Sequence, residues 1–525
     1  MQQRNPCSPR LRRGIPAKEW RATMMNRREF IVTTCATLAA ARSHAVAGSS
    51  NEGTGRYLDI VRRYADAMIE HGRDVYGEVR SPLFAVTLDR KTLRLPEKPP
   101  GNISGIRNGD RTLTGANPMQ DENLYQVLYA LTKATGEKRY AAEADAALKW
   151  FFEHCQSPKG LMAWGEHQGW DFRAEASTAP KAPHEFYRPW VLWDRCFKLA
   201  PEPCHRFATG LWNHQIADHK TGAFSRHAMD IWDMSKTSAR KGYEFPRHGG
   251  FYIATWAAAY ERTKAPEMLK AIECLVDSFE ARRNKTTGII PAESNTPELV
   301  WPQSNLSLAI DLHDSAKKVP APLAKKMHAC AERIDGTFLA IKHELGADGK
   351  GFLKAVRAST LEPTDTYTAR GIKKPGKKDS WTHTWETGYG ESTDAQVAML
   401  CLLRWQQVSL DGFKQLFLAA ADRYLHRDPD LTITLYPGAL ADAIAVMVGA
   451  WRLTRAGKYL DRAETFAKTA LDVFFKNDSP LPRASSKHSH YETITRGDTL
   501  AMVLLDLWAA RIKPALDLEL VWDDR

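Results

Sequence analysis

An all-α ring of helical hairpins is the fold class this sequence predicts, and three observations carry it. Apolar residues recur at helical spacing on one face of successive segments: Ala144, Leu148, Phe151 and Phe152, then Leu440, Ile444, Met447, Val448 and Trp451, then Ala463, Ala467, Ala470 and Phe474. The turns between segments resemble one another. In "ATGEKRY" (134–140) and "RAGKY" (455–459) a glycine stands where a C′ cap ends one helix, and the next begins near Lys-Tyr. Finally, the outermost helical patterns are matched: Leu500, Val503, Leu504, Leu507 and Trp508 near the C-terminus can pack beside Tyr57, Ile60, Val61, Tyr64 and Met68 near the N-terminus.

Taken in order, candidate helices fall at 56–72, 121–135, 138–155, 184–199, 203–217, 249–262, 265–282, 304–317, 321–344, 391–408, 411–425, 439–455, 458–476 and 496–512. They form a degenerate repeat of antiparallel pairs. Fourteen helices whose ends meet predict an (α/α) toroid of six to seven hairpins, with (α/α)7 expected. In such a ring the connections at one end surround a concave site, so the longer loops carry function. Four stand out, at 73–120, 156–183, 218–248 and 345–390. The first contains "SPLFAVTLD", a candidate strand pair; the last is rich in glycine, lysine and aromatics and suits a cleft wall.

At 525 residues, 43% hydrophobic and 26% charged, the chain has the composition of a folded protein with a large core. Its net charge of +11 is concentrated at the start. Residues 1–47 hold nine Lys/Arg against Glu19 and Glu29, and the remaining 64 basic and 60 acidic residues leave only +4. No dense basic stripe follows, which argues against a nucleic-acid partner. The leader itself reads as an export signal. Arg27-Arg28 in "NRREFIV" precedes the short apolar run "FIVTTCATLAAA", and Ala45-Val46-Ala47 supplies small residues for cleavage. It resembles a twin-arginine signal, with Met24 or Met25 the natural start. The expected organisation is therefore a signal at 1–47 and one toroid domain at 48–525, periplasmic or secreted, with no membrane span. Six cysteines after residue 47 lack CxxC spacing and read as buried thiols, with a Cys196–Cys204 bridge left open.

Three loop segments carry residues suited to chemistry. "LMAWGEHQGWDF" (161–172) sets Glu166 and His167 between Trp164 and Trp170. Tryptophan faces stack on sugar rings, although a buried aromatic cluster would look the same. In "APHEFYRPWVLWDRCF" (182–197), Pro183 suits a first helical turn and would place His184 and Glu185 near a helix N-terminus, where the carboxylate also complements the dipole. "LWNHQIADHKTGAFSRHAMD" (211–230) carries the adjacent pair Arg226-His227, whose plainer reading is an ion pair with Asp230. Arg247-His248 in "EFPRHGGFY" is a competing pair. His167, Glu185 and His227 offer two imidazoles and a carboxylate. Such a set suits a divalent transition metal such as Mn, Ni or Co better than Ca, provided the fold brings the three together.

The run from "WGEHQGWDF" through "HEFYRPWVLWDR", "LWNHQIADHKTGAFSRH" and "EFPRHGGFYIATW", with "YTARG" (367–371) and "TRGDTLAMVLLDLW" (495–508), resembles the periplasmic pectate lyases of polysaccharide lyase family 2 and their bacterial relatives. The resemblance extends over most of residues 56–512, with its specific motifs in the middle third. It implies an (α/α)7 barrel and metal-assisted β-elimination on polygalacturonate or a related acidic polysaccharide or oligosaccharide. It further implies His167, Glu185 and His227 as metal ligands and Arg226 as base. The interval from His167 to Glu185 is slightly short for the family, which leaves Glu166 or His184 as substitutes. A guanidinium pKa above about 12 makes a base role demanding, so Arg226 as a carboxylate binder, with Tyr389 or His248 taking the proton, stays open. Trp164, Trp170, Arg188, Arg247, His248 and Tyr389 are the candidate substrate contacts, with Lys373, Lys374, Lys377 and Lys378 at the mouth.

Two other functions fit the same toroid. A glycoside or uronyl hydrolase would pair Glu185 with Asp171 or Glu391 at about 5–10 Å. A periplasmic glycan-binding protein would use the tryptophans without turnover. Sequence leaves open which uronate polymer is bound, endo or exo cleavage, and the oligomeric state.

Overall fold

The computed structural model describes residues 50–186, 188–364, 380–388 and 390–523, with side chains from residue 55 onward. The leader read at 1–47, Tyr389, "YTARG" and the lysines at 373–378 lie outside the described residues.

Fourteen α-helices occur among the described residues: α1 (Ser50–His71), α2 (Glu122–Thr135), α3 (Arg139–His154), α4 (Trp193–Leu199), α5 (Pro201–Gln215), α6 (Pro246–Thr263), α7 (Pro266–Arg282), α8 (Pro302–Ala316), α9 (Ala321–Ala340), α10 (Asp394–Val408), α11 (Asp411–Leu425), α12 (Pro437–Thr454), α13 (Gly457–Ala470) and α14 (Gly497–Ile512). The even-numbered helices form the inner layer. Along it α4 packs on α6, α6 on α8, α8 on α10, α10 on α12, α12 on α14, and α14 returns to α2. Between α2 and α4 the Arg195 guanidinium lies 4.2 Å over the Tyr129 ring. The odd-numbered helices lie outside. Here α1 closes the ring: its Arg62 and Asp66 pair with Glu137 and Arg139 at 2.7 and 2.5 Å, and its Tyr57 lies in the field of Glu464 on α13 and Arg511 on α14. The seventh pair is thus made from the two ends of the chain.

Burial follows the layers. In α12 every residue from Pro437 to Ala450 is buried, as expected of a helix packed on all sides. Its outer partner α13 buries one stripe, Tyr459, Leu460, Ala463, Phe466, Ala467 and Ala470. One hydrophobic core runs round the ring, and a small satellite of Ile289, Val300, Ile341, Leu353, Val356, Ala358 and Trp381 lies under the loops.

The two ends of the ring differ. From α2 to α12 each inner helix leads to its outer partner through a turn of four residues or fewer, and four of these close the inner helix with a left-handed residue; in three an extended residue then opens the next helix, whereas Lys138 before α3 is already helical. Gly136, Lys264, Ser409 and Arg455 occupy the left-handed position at φ +83, +57, +56 and +58. The glycine expected in "RAGKY" is therefore displaced: Arg455 takes the cap, and Gly457 begins α13. At the other end, long loops run from each outer helix to the next inner one.

Among the described residues these loops carry nine short strands: β1 (Thr87–Leu88), β2 (Gly115–Ala116), β3 (Trp170–Asp171), β4 (Ala176–Ser177), β5 (Ile216–Asp218), β6 (Ala223–Phe224), β7 (Leu299–Val300), β8 (Val356–Arg357) and β9 (Tyr491–Glu492). All ladders are antiparallel: β1 with β9, β2 with β3 with β4, β5 with β6, and β7 with β8. The "SPLFAVTLD" segment does form a strand, but its partner is the last loop. Thr87 faces Glu492, and the buried ion pair of Arg111 with Glu492 at 2.6 Å fastens the same junction.

One local expectation is corrected, and one left open is decided. The helix expected from 184 begins at Trp193; His184 instead forms an extended bridge with Ala228, so Glu185 is not at a helix N-terminus. Cys196 and Cys204 are free, buried thiols, and burial pushes both up.

Candidate functional site

The loop end brings together residues from four separate connections. The α3–α4 loop supplies two of them. Gly165 turns it at φ +105, where a Cβ would fall 2.0 Å from the Glu185 carbonyl oxygen, so only glycine allows the two strands of this loop to approach. Asn117, fully buried, holds the turn from the α1–α2 loop: its amide donates to the carbonyls of Gly165 and Gln168 at 2.8 and 3.0 Å and accepts from the Gly165 N–H at 3.2 Å. The Glu166 N–H then donates to the Glu185 carbonyl at 2.9 Å. This clamp places His167 beside Glu185.

Extended backbone at 184–185 makes the neighbours face opposite ways. His184 turns inward, where Nδ1 meets Gln215 at 3.2 Å and burial pulls the ring down to about 4. Glu185 turns toward the loops. Gln215 reaches the third segment as well, donating to the carbonyls of Ser225 and Arg226 at 2.8 and 3.0 Å, while the Arg226 N–H donates to Tyr243. Two successive carbonyls on one amide break the strand alternation, so Arg226 and His227 straddle a single carboxylate. Nε of Arg226 is 2.5 Å from Glu185 Oε1, and Nε2 of His227 is 2.6 Å from Oε2. His167 Nε2 approaches the same Oε2 at 3.1 Å.

His167, Glu185 and His227 thus present three donor atoms within 4.8 Å of one another. Two ligands each about 2.1 Å from one ion and at right angles to it stand roughly 3 Å apart, so these spacings fit a single cation. Imidazole nitrogens with one carboxylate match a borderline transition metal rather than Ca. The ring orientation is set from behind: His167 Nδ1 bonds Asp110 at 2.8 Å, which leaves Nε2 to the site. Burial opposes charge on Glu185, but its bonds with His167 and His227 and the Arg226 guanidinium hold the carboxyl well below its usual range. Burial likewise pulls His167 down, and the bonds to Asp110 and Glu185 outweigh it, pushing the ring up to about 9. Glu166 joins Asp110 and His167 in an adjoining group; burial and the neighbouring Glu185 and Asp110 push it up to about 7. Arg107 pairs with both Asp110, at 2.7 Å, and Glu166.

Arg226 is held on three sides. Besides Glu185, its Nη1 lies 3.4 Å from buried Glu293, and its guanidinium stacks 4.0 Å over Phe245. Asp230 takes no part in this; its carboxylate meets Lys236.

Several expected substrate contacts are elsewhere. Trp164 is fully buried among Phe151, Phe152, Phe186, Trp190, Trp193 and Phe207, and cannot stack on a sugar. Trp170 is on β3, 9% exposed and edge-on to Trp150. Arg188 is buried against Asp523 and the Gln120 carbonyl. His248 is buried behind the site, with Nε2 3.2 Å from the Phe186 carbonyl and 3.6 Å from Glu185; burial and Arg247 pull it well down. Arg247 is half-buried at the start of α6, its N–H bonded to Ser304. Trp164, Trp170 and Arg188 thus belong to the buried side of their loop, a distinction that local pattern does not make. Of the carboxylates offered as partners for Glu185, Asp171 is engaged by Thr114 and by the N–H groups of Arg173 and Ala174, and Glu391 by Lys354. Asp110, Arg107, Asn117 and Glu293 went unrecognised in sequence; the alternating charges of "RNGDRT" (107–112) are the local signal that could have marked the first two.

Residues 103–289 match a protein family described as periplasmic pectate lyase. The matched stretch contains Asp110, His167, Glu185, Arg226 and His227. Among solved structures, the chain is similar to an unsaturated glucuronyl hydrolase specific for heparin (14% identity, covering 87% of this chain and 96% of that one, TM-score 0.41). It is also similar to an α-1,6-mannanase from Salegentibacter (10%, 86% and 99%, 0.41) and to a cellobiose 2-epimerase from Bacillus thermoamylovorans (9%, 86% and 99%, 0.46). No described helix is long and apolar enough to cross a membrane.

Proposed function

We propose that this protein is a polysaccharide lyase that cleaves a uronate-containing polymer, polygalacturonate first among them, by metal-assisted β-elimination. The observation that carries the reading is the meeting of His167, Glu185 and His227 on one point with Arg226 beside them, within the stretch that matches the pectate lyase family. His167, Glu185 and His227 would hold a divalent transition metal. Bound there, the cation supplies Lewis-acid withdrawal of charge from the uronate carboxylate, acidifying the proton on the adjacent carbon.

The chain's own residues do the rest. Asp110 orients His167, and Glu293 and Phe245 hold the Arg226 guanidinium at the edge of the donor set. Adjacency to His227 keeps Arg226 near the carbon that loses its proton. A proton-accepting role requires Arg226 to release Glu185. Export through a twin-arginine signal to the periplasm is part of the same proposal.

A second reading has one observation behind it. Glu166 is pushed up to about 7 while neighbouring Glu185 is held far below, the divergence expected of a general acid and its partner in a hydrolase. Incubation with a panel of uronate polymers, with and without chelator, decides between them. A lyase yields an unsaturated, ultraviolet-absorbing product that chelator suppresses and Arg226→Ala abolishes. Chelator-insensitive cleavage that adds water would replace this reading with the hydrolase, and an unchanged rate in Arg226→Ala would remove Arg226 from the mechanism.

A further inference from the structure

The described residues from Glu185 to Leu192 lie in no helix or named strand, yet they must present a buried carboxylate accurately to two imidazoles. Their anchors come from far away in sequence. The Val191 N–H donates to Glu122 at the start of α2, and Arg188 donates to the Gln120 carbonyl at 3.1 Å and pairs with Asp523 at 3.5 Å. Arg188 and Asp523 are 2% and 0% exposed, so the pair is shielded from water and its loss is not compensated by solvent.

Asp523 arrives on a strap that runs back along α2 after α14. The strap is seated by a reciprocal pair of bonds: the Val521 N–H donates to Gln126 at 2.8 Å, and the Gln126 amide donates to the Val521 carbonyl at 3.0 Å. Leu518 and Trp522 are buried beside it, and Asn123 donates to the other Asp523 oxygen at 3.2 Å. The strap therefore carries a carboxylate aimed at an arginine three residues beyond Glu185.

We propose that Asp523 is a positioning residue for Glu185: through Arg188 it fixes the segment that carries the carboxylate into the donor set. The proposal rests on the reading of His167, Glu185 and His227 as a cation site. It predicts that the strap tunes cation binding without touching the cation.

The test uses the full-length Asp523→Asn variant, which removes the strap's charge, keeps its shape and an acceptor toward Asn123, and leaves Arg188 facing the buried carboxylates of Asp121, Glu122 and Asp498. Asp523→Ser, smaller but still polar, serves if that variant does not fold. Two readouts are taken: amide hydrogen exchange across 186–192 without metal, and titration with Co²⁺ alone, whose visible bands report ligand number and geometry. The expected result is exchange faster by about tenfold or more in that segment only, with Co²⁺ affinity about tenfold weaker and altered bands at an unchanged melting temperature. Unchanged exchange, or an unchanged Co²⁺ affinity and spectrum, overturns the proposal. An unaltered protein that binds no Co²⁺ defeats the cation-site reading, and the exchange result alone then decides whether Asp523 orders the segment.

Discussion

The two ends of the ring solve different problems with the same helices. At the short-turn end, four connections close their inner helix with a left-handed residue, and a glycine, a lysine, a serine and an arginine all serve at that position. At the loop end almost every connection is distinct, and one carboxylate, Glu185, answers to Arg226, His167, His227 and, more distantly, His248. The difference teaches where substitution is tolerated. A turn needs only a backbone conformation, whereas the donor set needs particular atoms at particular points.

The sharpest way to break the contrast is at Glu185. Glu185→Gln removes the charge shared by two imidazoles and a guanidinium while keeping the shape. Activity is expected to fall on the order of 10³-fold, consistent with a Lewis-acid contribution of several kcal/mol, and cation binding should be lost in calorimetry. Trp164→Ala comes next, and separates core from site. A buried tryptophan deleted from an aromatic cluster should lower stability by about 3–5 kcal/mol in denaturant titration, with KM of the surviving folded enzyme unchanged. A raised KM at full stability would show that Trp164 meets sugar after all.

Asp110→Asn should act more gently. It weakens the hold on His167 Nδ1 from behind, and cation affinity should drop about 10–100-fold while the fold is kept, as read by titration and thermal melting. The smallest effects belong to the turn end. Gly136→Ala places a Cβ at φ +83 and should cost about 1 kcal/mol, whereas Lys264→Gly should be neutral or stabilising by a similar amount, both with unaltered turnover. Should a turn substitution change turnover as strongly as Asp110→Asn, the division between the two ends would be lost.

Much of the fold was legible because helical periodicity is a local property. Each of the fourteen segments read from apolar spacing has its helix, including the seventh pair formed by the chain ends. The failure at 184 is instructive. Pro183 and a following apolar pattern read as a helix start, but Gly165, Asn117 and Ala228 capture His184 and Glu185 in an extended bridge, and all three are distant in sequence. The tryptophans misled for a related reason. "WGEHQGW" shows which residues are close together along the chain, but not which side of the loop faces the core.

Residue types and their order alone determined that the chain forms paired helices, and singled out the long connections, with His167, Glu185 and His227 in them, as the candidate place for chemistry. Only the tertiary structure decided that Arg226 and His227 straddle one carboxylate, that Asp110 and Glu293 support them, and that Trp164 and Arg188 belong to the interior. The physical reason is range. Helix formation is settled by residues three and four apart, while a donor set is settled by backbone amides and side chains such as Asn117, Gln215 and Asp523, which reach it from separate turns of the ring.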